Sequence, residues 1–305
     1  AITITHAGYI KRLSSSQYRR QRRGGKGVIG STSRDEDFAE HLFVASTHEY
    51  ILFFTDRGRC YWLKVHAIPV GGKISRGKPV IQLIGIEKGE TVTAFTCAKT
   101  FDEGKFIVMS TRKGVIKKTP LTAFSHPRKN GVNAMNLPKD DQLIEAAISD
   151  GSYDIVLATR LGQAIRFPED KIRGMGRTAY GVRGITLAKD DYVVGMVVVA
   201  RQSSLLVVTE NGYGKRTSIE DYRITNRGGK GIINVKTSDR NGEVVVIKEV
   251  LDKDELIIMT RSGIANRMAV SDISVIGRNT QGVRLINLKG DDKVIDVAHV
   301  VGEEE

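Results

Sequence analysis

The chain repeats one short pattern six times: a threonine followed three residues later by a glycine, at the end of an apolar run. Successive threonines of the pattern lie 50, 56, 48, 50 and 51 residues apart, and a second glycine follows each threonine by 22 residues in five copies and by 20 in one. A period near 50 residues is typical of a unit that cannot bury its apolar face alone and must stack on its neighbours. The six copies are Thr5/Gly8, Thr55/Gly58, Thr111/Gly114, Thr159/Gly162, Thr209/Gly212 and Thr260/Gly263, and the second glycines are Gly27, Gly77, Gly131, Gly181, Gly231 and Gly282.

The residues around each copy predict four short strands. The run before the threonine is apolar and rich in β-branched and aromatic residues, as in Tyr50 to Phe54, which is typical of a buried strand. The pattern itself predicts a hairpin whose glycine takes a positive φ. A second strand follows the hairpin, and a longer connection leads to a third strand, such as Val132 to Leu137, and a fourth, such as Val193 to Val199.

Six repeats of four antiparallel strands predict an all-β, six-bladed β-propeller-like disc. A β-solenoid or a set of separate sandwiches is the alternative, but solenoid rungs are usually much shorter, and no linker rich in Pro, Gly or Ser separates two repeats. We therefore expect a single domain over residues 1–305, and we expect it to be a piece of a longer polypeptide. The predicted repeats are 1–49, 50–103, 104–151, 152–201, 202–252 and 253–301, followed by an acidic tail at 302–305.

The charge of the chain favours an anionic partner. There are 47 Lys and Arg residues against 35 Asp and Glu, which gives a formal charge of +12. The two cysteines, Cys60 and Cys97, have no metal-ligand spacing and are interpreted as reduced thiols. The sequence contains no signal peptide and no apolar stretch of membrane-spanning length, so we expect a cytoplasmic protein without a membrane partner.

Basic residues recur at fixed positions of the repeat. The seventh residue after the repeat threonine is basic in five copies and is Trp62 in the second, and the sixth residue is lysine in three copies. Lysine or arginine on a surface strand can simply guard against edge-to-edge pairing. Its recurrence on a basic chain instead predicts a positive track that faces a ligand. The track would comprise Lys11, Arg12, Lys117, Lys118, Arg166, Lys215, Arg216 and Arg267.

The richest basic cluster lies at the start of the chain. Residues 1–34 contain eight basic residues and no Asp or Glu. Glycines in such a cluster let backbone N–H groups approach phosphates, while the flanking Arg and Lys side chains supply charge-assisted hydrogen bonds. The spacing is not that of a Walker A loop. The centre of the cluster is Gln21, Arg22, Arg23, Gly24, Gly25, Lys26 and Gly27, with Arg19 and Arg20 before it, and a partial copy, Arg227 to Gly231, includes Lys230.

With these residues the chain resembles the C-terminal domain of the DNA gyrase A subunit. The seven residues Gln21 to Gly27 match the box of that family, and repeats such as Thr209 to Thr217 are similar to its repeats over the whole chain. The resemblance implies a six-bladed β-pinwheel with strand exchange between blades, which wraps duplex DNA around its rim in a positive sense. It implies that the box completes the DNA path in the first blade. Arg227 and Lys230, from the partial copy of the cluster, join the predicted DNA-binding set.

The resemblance also implies partners and an absence of chemistry. The partners would be the remainder of the gyrase A subunit, which carries the cleavage core, and the gyrase B subunit, in a bacterial, nucleoid-associated enzyme. The domain would be non-catalytic, without cofactor or metal, inside an ATP-dependent type II topoisomerase. The second blade departs from the pattern at Trp62. Its DNA contacts would instead involve Arg57, Arg59, Lys64, Lys73, Arg76 or Lys78.

Three alternatives remain open at this point. The first is a topoisomerase IV-like domain that bends DNA without full chiral wrapping. The second is a scaffold propeller that binds acidic proteins. The third is an enzyme with a site in the central channel, but the six histidines share no repeat position, and the paired acids such as Asp190 and Asp191 are interpreted as turn residues.

Overall fold

The computed structural model describes residues 2–5, 7–13, 39–43, 45–72, 75–200, 202–262 and 264–300. Within these ranges the chain is built almost entirely of short strands. The strands are β1 (Ile2–Thr5), β2 (Tyr9–Arg12), β3 (Ala39–Phe43), β4 (Tyr50–Thr55), β5 (Arg59–Lys64), β6 (Lys78–Pro79), β7 (Val92–Ala98), β8 (Phe106–Thr111), β9 (Val115–Pro120), β10 (Val132–Asn133), β11 (Leu143–Ser149), β12 (Asp154–Thr159), β13 (Gln163–Pro168), β14 (Val182–Arg183), β15 (Val193–Val199), β16 (Ser204–Thr209), β17 (Tyr213–Ser218), β18 (Ile232–Ile233), β19 (Val244–Val250), β20 (Glu255–Thr260), β21 (Ala265–Ala269), β22 (Val283–Arg284) and β23 (Val294–Val300).

Helical structure in the described residues is limited to single turns. One α-helical turn, α1, follows β6 at Val80–Leu83. None of the helices in the described part of the chain is long and apolar enough to cross a membrane. In five repeats a 3₁₀ turn follows the second strand of the hairpin, at Val65–Ala67, Leu121–Phe124, Glu169–Lys171, Ile219–Asp221 and Val270–Asp272.

The repeated threonine and glycine close each hairpin, as predicted. In the fourth repeat the Thr159 carbonyl accepts the Gly162 N–H at 3.1 Å, and the Thr159 hydroxyl accepts the Gln163 N–H at 3.2 Å. Gly162 has a φ of 87°, a conformation that costs glycine no steric strain. The Gly162 carbonyl in turn accepts N–H groups of the next repeat, from Asn234 at 2.8 Å and Val235 at 3.3 Å. The pattern is therefore both a turn and a docking point for the neighbouring repeat.

Five of the sheets contain four strands, but the fourth strand belongs to the next repeat. The outermost strand of the second sheet, for example, is β10 from the third repeat, which pairs with β5 through Val132 and Cys60. The prediction that each repeat forms its own four-stranded unit is corrected here, because the third strand crosses to the preceding sheet. That strand is also shorter than predicted, since only Val132 and Asn133 pair. Strand exchange, which the resemblance implied, is confirmed.

The second repeated glycine marks the point where the exchanged strand meets the preceding blade. Gly231 has a φ of 78°, and a Cβ atom on it would lie 2.5 Å from the Ala164 carbonyl oxygen. Such a separation excludes any side chain at this position. The two glycines of one repeat therefore serve different joints, because Gly231 contacts the preceding blade while the Gly212 carbonyl accepts the N–H groups of Leu285 and Ile286 from the next repeat.

The innermost strands of the six sheets lie side by side around the central axis. These strands are β3, β7, β11, β15, β19 and β23, and β23 of the sixth repeat lies against β3 of the first. The Phe43 ring stacks on the Phe95 ring, with centroids 4.4 Å apart, so the first and second repeats also meet. The ring of blades is closed within the described residues, and the architecture is a six-bladed β-propeller.

The core consists of apolar layers between adjacent blades. Along β12, Ile155 and Leu157 pack towards the third blade, whereas Val156 and Ala158 pack towards the fifth. A strand that is buried on both faces needs apolar residues without alternation. This requirement explains the continuous apolar runs from which the strands were predicted.

The paired acids lie in turns, as interpreted from the sequence. The Asp191 carboxylate accepts the backbone N–H groups of Leu161 at 3.0 Å and Tyr192 at 2.9 Å. Asp141 and Asp292 make the same two contacts in their own repeats. These carboxylates connect the hairpin turn to the start of the innermost strand.

Candidate nucleic-acid interface

Five segments run along the outer edge of the disc, and we call them the crossing segments. They comprise residues 68–72 with 75–80, and residues 125–137, 172–187, 222–237 and 273–288. Each segment leaves its own blade and lies along the outermost hairpin strand of the preceding blade, where it ends as the exchanged strand. In the fourth blade, Ile224 forms a parallel bridge with Arg166, and Ile233 later pairs antiparallel with Gln163.

The crossing segments are basic and free of acid. Their described residues contain thirteen lysines and arginines and no aspartate or glutamate, and ten of the thirteen are exposed. These residues carry +13 and residues 1–34 carry a further +8, against +12 for the whole chain, so all other residues together carry a net charge of −9. The positive charge of the described residues is therefore concentrated at the outer edge. The thirteen residues are Arg76, Lys78, Arg128, Lys129, Arg173, Arg177, Arg183, Arg223, Arg227, Lys230, Lys236, Arg278 and Arg284.

The basic residues predicted from the hairpin strands have a different placement. These residues were predicted to form a track that faces a ligand. That prediction is wrong for five of the residues, because their side chains are buried. The five are Lys11, Lys117, Lys118, Lys215 and Arg216, which are between 0% and 6% exposed. Lys118 and Arg216 lie seven residues after the repeat threonine and donate to carbonyls at the start of the next crossing segment or just before it. Lys118 Nζ lies 3.0 Å from the Glu169 oxygen, and Arg216 Nε lies 2.8 Å from the Ile273 oxygen.

Two further residues at the seventh position behave in the same way. Arg12 Nε donates to the Ile68 carbonyl at 2.7 Å, and Arg166 Nη1 donates to the Ile219 carbonyl at 2.7 Å. Both side chains are half-buried. Arg267, in the sixth blade, is exposed and forms an ion pair with Glu255. Ile68 directly follows its 3₁₀ turn, whereas Ile219 begins its turn, and the Ile219 carbonyl also accepts the Tyr222 N–H at 3.1 Å.

Trp62 explains what the seventh position requires. It is the exception to the basic pattern, yet its indole Nε1 donates to the Phe124 carbonyl at 2.9 Å. Phe124 ends the 3₁₀ turn of the third repeat, and the acceptors of the basic residues likewise lie in or directly after the 3₁₀ turns of their own repeats. The shared property of the position is a long side chain with an N–H donor, and charge is secondary.

The three lysines at the sixth position fill the bends of crossing segments. Lys117 Nζ donates to the Ala134 oxygen at 2.7 Å and to the Arg177 oxygen at 2.6 Å. Lys215 Nζ likewise donates to two carbonyls of the last crossing segment, and Lys11 Nζ to two of the first. Burial, and secondarily the charge of Arg177, lowers the pKa of Lys117 to about 7, and burial likewise lowers the pKa of Lys215 to about 8. These ammonium groups hold the joints between blades.

We expect Lys117→Met to destabilise the domain more at pH 9 than at pH 6. The folded-state pKa near 7 is lower than the ordinary value of 10.5, so between these values the unfolded chain binds more protons. The stability that depends on Lys117 therefore rises with pH, and the variant loses that gain. The difference between the two pH values should be about 2 kcal/mol, measured by denaturant unfolding.

The matched control is Lys113→Met, at an exposed lysine that pairs with Asp140. An exposed ion pair contributes roughly 0–1 kcal/mol, so this change should alter stability little at either pH. Equal destabilisation by Lys117→Met at pH 6 and pH 9 would contradict the lowered pKa of the buried Lys117 amine.

The predicted box and its neighbours, Arg19, Arg20 and Gln21 to Gly27, lie outside the described residues. Their partial copy in the fifth repeat, Arg227 to Gly231, is described. Arg227 is half-buried, and its guanidinium donates to the carbonyls of Lys171 and Arg183, each at 3.0 Å. Lys230 is exposed. In this copy the Arg227 guanidinium is bound to two carbonyls, whereas Lys230 is exposed on the same crossing segment. DNA binding by these two residues stays a prediction.

The residues considered for the second blade separate into two groups. Arg76 and Lys78 are exposed on the first crossing segment. Arg57 and Arg59 lie at the hairpin, where Arg57 donates to the Gly89 carbonyl and Arg59 lies near the carboxylates of Glu87 and Glu90. Lys64 is exposed at the end of β5, with its Nζ 5.3 Å from the centre of the Tyr50 ring. Lys73 lies outside the described residues.

Most of the exposed basic residues of the outer edge were not among those predicted from the sequence. Arg173, Arg183, Arg223 and Arg284 were not selected, although Arg173 and Arg223 share the fourteenth position after the repeat threonine, and Arg183 and Arg284 share the twenty-fourth. One sequence feature would have identified these residues. The crossing segments contain lysine and arginine but no aspartate or glutamate. In the described residues there is no group of three or more His, Cys, Asp or Glu side chains that could hold a metal ion.

The chain matches a family model and several curated proteins over most of its length. A family model described as DNA gyrase C-terminal domain, beta-propeller, matches residues 1–46, 49–99, 105–150, 153–200, 203–249 and 254–300. The DNA gyrase A subunit of Salmonella typhimurium is 43% identical over 307 residues, covering 100% of this chain and 35% of the relative. The DNA gyrase A subunit of Staphylococcus aureus strain NCTC 8325 is 45% identical over 306 residues, covering 99% of this chain and 34% of the relative. The chain thus spans about a third of the length of these curated relatives.

Solved structures show the same fold. A structure described as DNA gyrase A C-terminal domain has a TM-score of 0.84 at 26% identity, covering 98% of this chain and 99% of its own. The C-terminal domain of DNA topoisomerase IV has a TM-score of 0.80 at 24% identity, covering 98% of this chain and 92% of its own. At that lower identity the likeness is one of fold alone.

Proposed function

Because the chain belongs to the family of DNA gyrase C-terminal domains, we propose that it binds duplex DNA along its outer edge and wraps it in a positive sense. The observation that carries the proposal is the acid-free, basic outer edge formed by the five crossing segments. Phosphate contacts from Lys and Arg supply most of the affinity in sequence-independent DNA binding. The domain itself performs no bond cleavage in this proposal.

The energy of bending explains why the charge must be spread over all blades. A body of 305 residues has a radius of gyration of about 19 Å, which corresponds to a compact radius near 25 Å. Bending DNA by half a turn around such a body costs on the order of 10 kcal/mol. No single phosphate contact offsets that cost. Two to four basic residues on each described crossing segment can offset it together, since each contact releases counterions.

The partners follow from the family and are part of the proposal. Curated relatives about three times as long as this chain are DNA gyrase A subunits. We propose that this domain works with the rest of such a polypeptide and with the gyrase B subunit in a bacterial type II topoisomerase. Its contribution there is to present a wrapped DNA segment of fixed hand to the cleavage core, which supports negative supercoiling.

The dependence of affinity on DNA length tests wrapping. The bare domain should bind a duplex of about 120 base pairs more tightly, per molecule, than one of about 20 base pairs, because only the longer duplex reaches every blade. Gel-shift titrations at one salt concentration provide the comparison. Equal affinity for the long and the short duplex, after correction for the number of binding sites on each, would contradict wrapping. It would mean that the domain binds only a short stretch of DNA. Loss of binding in favour of acidic protein competitors would support a scaffold instead.

A further inference from the structure

Exposed apolar side chains concentrate on the same outer edge as the basic residues. Among the described residues, eight large hydrophobic side chains are exposed, and six of them belong to the crossing segments. The other two, Ile81 and Ile264, lie in α1 and in a hairpin turn. Single exposed apolar residues need no explanation, but their concentration on one basic edge does. The six are Val70, Tyr180, Ile224, Ile233, Val275 and Val283.

Three of the six occupy one position of the repeat. Val70, Ile224 and Val275 each lie fifteen residues after the repeat threonine, and they are 72%, 56% and 53% exposed. Each forms a parallel bridge with the residue at the seventh position of the preceding repeat. The bridges fix all three backbones in the same orientation on their blades. We call Val70, Ile224 and Val275 the rim residues.

Two of the rim residues have basic neighbours on their own crossing segments, whereas the acidic residues Asp221 and Asp272, three residues before Ile224 and Val275, lie outside those segments. Ile224 lies next to Arg223 and three residues before Arg227, and Val275 lies three residues before Arg278. The rim residues stand on separate blades, so they form no continuous apolar patch of the kind that docks a protein. A ligand that binds both the basic residues and the separated apolar rim residues must be anionic. It must also offer a small apolar surface at regular intervals.

Duplex DNA has this combination. From its charge spacing, DNA rises about 3.4 Å per base pair, and its minor groove returns to the same side every 10 to 11 base pairs. If the axis of the DNA lies about 10 Å outside a body of radius near 25 Å, each of six blades subtends about 37 Å of path, or about 11 base pairs. The same face of the duplex therefore returns once per blade. Proteins that bend DNA commonly place apolar side chains against the minor groove.

We propose that the rim residues contact the deoxyribose and minor-groove surface of the wrapped DNA, while the neighbouring arginines contact the flanking phosphates. This inference rests on the proposed function and deepens it. The apolar contacts do not release counterions, so they contribute affinity without contributing to the salt dependence. That difference separates the rim residues from the basic residues in an experiment.

The test compares the parent chain with the triple variant Val70→Ser, Ile224→Ser and Val275→Ser. The matched control is Ile81→Ser with Ile264→Ser, which removes exposed apolar side chains outside the crossing segments. Dissociation constants for a duplex of about 120 base pairs are measured at several NaCl concentrations. We expect the triple variant to bind roughly tenfold more weakly with an unchanged salt slope, from the apolar area that it no longer buries. The control should bind like the parent chain.

Each other outcome has a defined meaning. The inference is overturned if the triple variant binds DNA as tightly as the parent chain. It is also overturned if the control variant loses as much affinity as the triple variant. A lower salt slope in the triple variant also overturns it, because the lost contacts would then be electrostatic. If the serine variant loses its β-sheet circular dichroism, replacement by threonine, which keeps the branched Cβ, repeats the comparison. A parent chain whose binding ignores salt overturns the proposed function itself, whereas a salt-dependent parent with an unaffected variant overturns this inference alone.

Discussion

Raising NaCl from 50 mM to 200 mM should weaken the binding of a long duplex to this domain by about 10³- to 10⁵-fold. This is the loss expected when six to ten phosphate contacts are made by lysine and arginine. The outer edge has enough groups for that number, since ten basic residues of the described crossing segments are exposed. The measurement is a series of dissociation constants at four or more salt concentrations, plotted as logarithms.

The slope of that plot discriminates between contact modes. Hydrogen bonding or stacking on bases would give a shallow slope, and aromatic residues form only 6% of the chain. A control is Lys113→Ala with Lys139→Ala, at two exposed lysines in the hairpin turn and the polar turn of the third repeat. These residues lie outside the crossing segments, so the control should keep the slope of the parent chain. A dissociation constant that varies less than tenfold over this salt range would contradict binding through the basic edge.

Replacing Arg22, Arg23 and Lys26 by alanine should abolish full wrapping while the domain stays folded. The first repeat has the densest basic cluster in the sequence, and DNA that loses its contacts there is held by the other five blades only. Because elastic bending is costly, the unheld portion should straighten. The measurement is the distance between dyes on the two ends of a duplex of about 120 base pairs. We expect a longer mean distance for the variant than for the parent.

A control with the same change of charge isolates the position from the number of charges. Arg223, Arg227 and Lys230 lie on the crossing segment of the fifth repeat, and their replacement by alanine also removes three positive charges. Both variants should bind more weakly than the parent, but the box variant should show the greater loss of bending. Equal bending by the parent and the box variant would mean that the box has no special part in the DNA path.

Much of the fold was predictable because its signals are local. The fourth strand of the fourth repeat was expected from Val193 to Val199 and has those bounds in the structure. The hairpin at Thr159 and Gly162 was predictable for the same reason, since hydroxyl and φ requirements act over a few residues. Strand exchange was not predictable from the pattern, because a strand such as Val132 and Asn133 has the same sequence whichever repeat it pairs with.

The candidate site was only partly predictable, because a basic residue can recur in a repeat for two reasons. It can bind a ligand at the surface, or it can donate to carbonyls between blades. The recurrence of Lys118, Arg166 and Arg216 is real, but their side chains donate to carbonyls at the joints between blades. Trp62 has the same partner type without a charge, which shows that geometry selects the position. The exposed residues Arg173 and Arg183 escaped notice because their positions are basic in at most three of the six repeats, whereas the seventh position is basic in five.

The measurement that tests the central claim most directly is the linking number of a plasmid bound by the domain. Relaxed circular plasmid is incubated with increasing amounts of the domain and a type I topoisomerase, the protein is removed, and the topoisomers are resolved. Our account predicts a positive shift in linking number that grows with the amount of protein, and a much smaller shift for the Arg22, Arg23 and Lys26 variant. Tight binding without any shift would contradict chiral wrapping and would leave a module that bends DNA without a fixed hand.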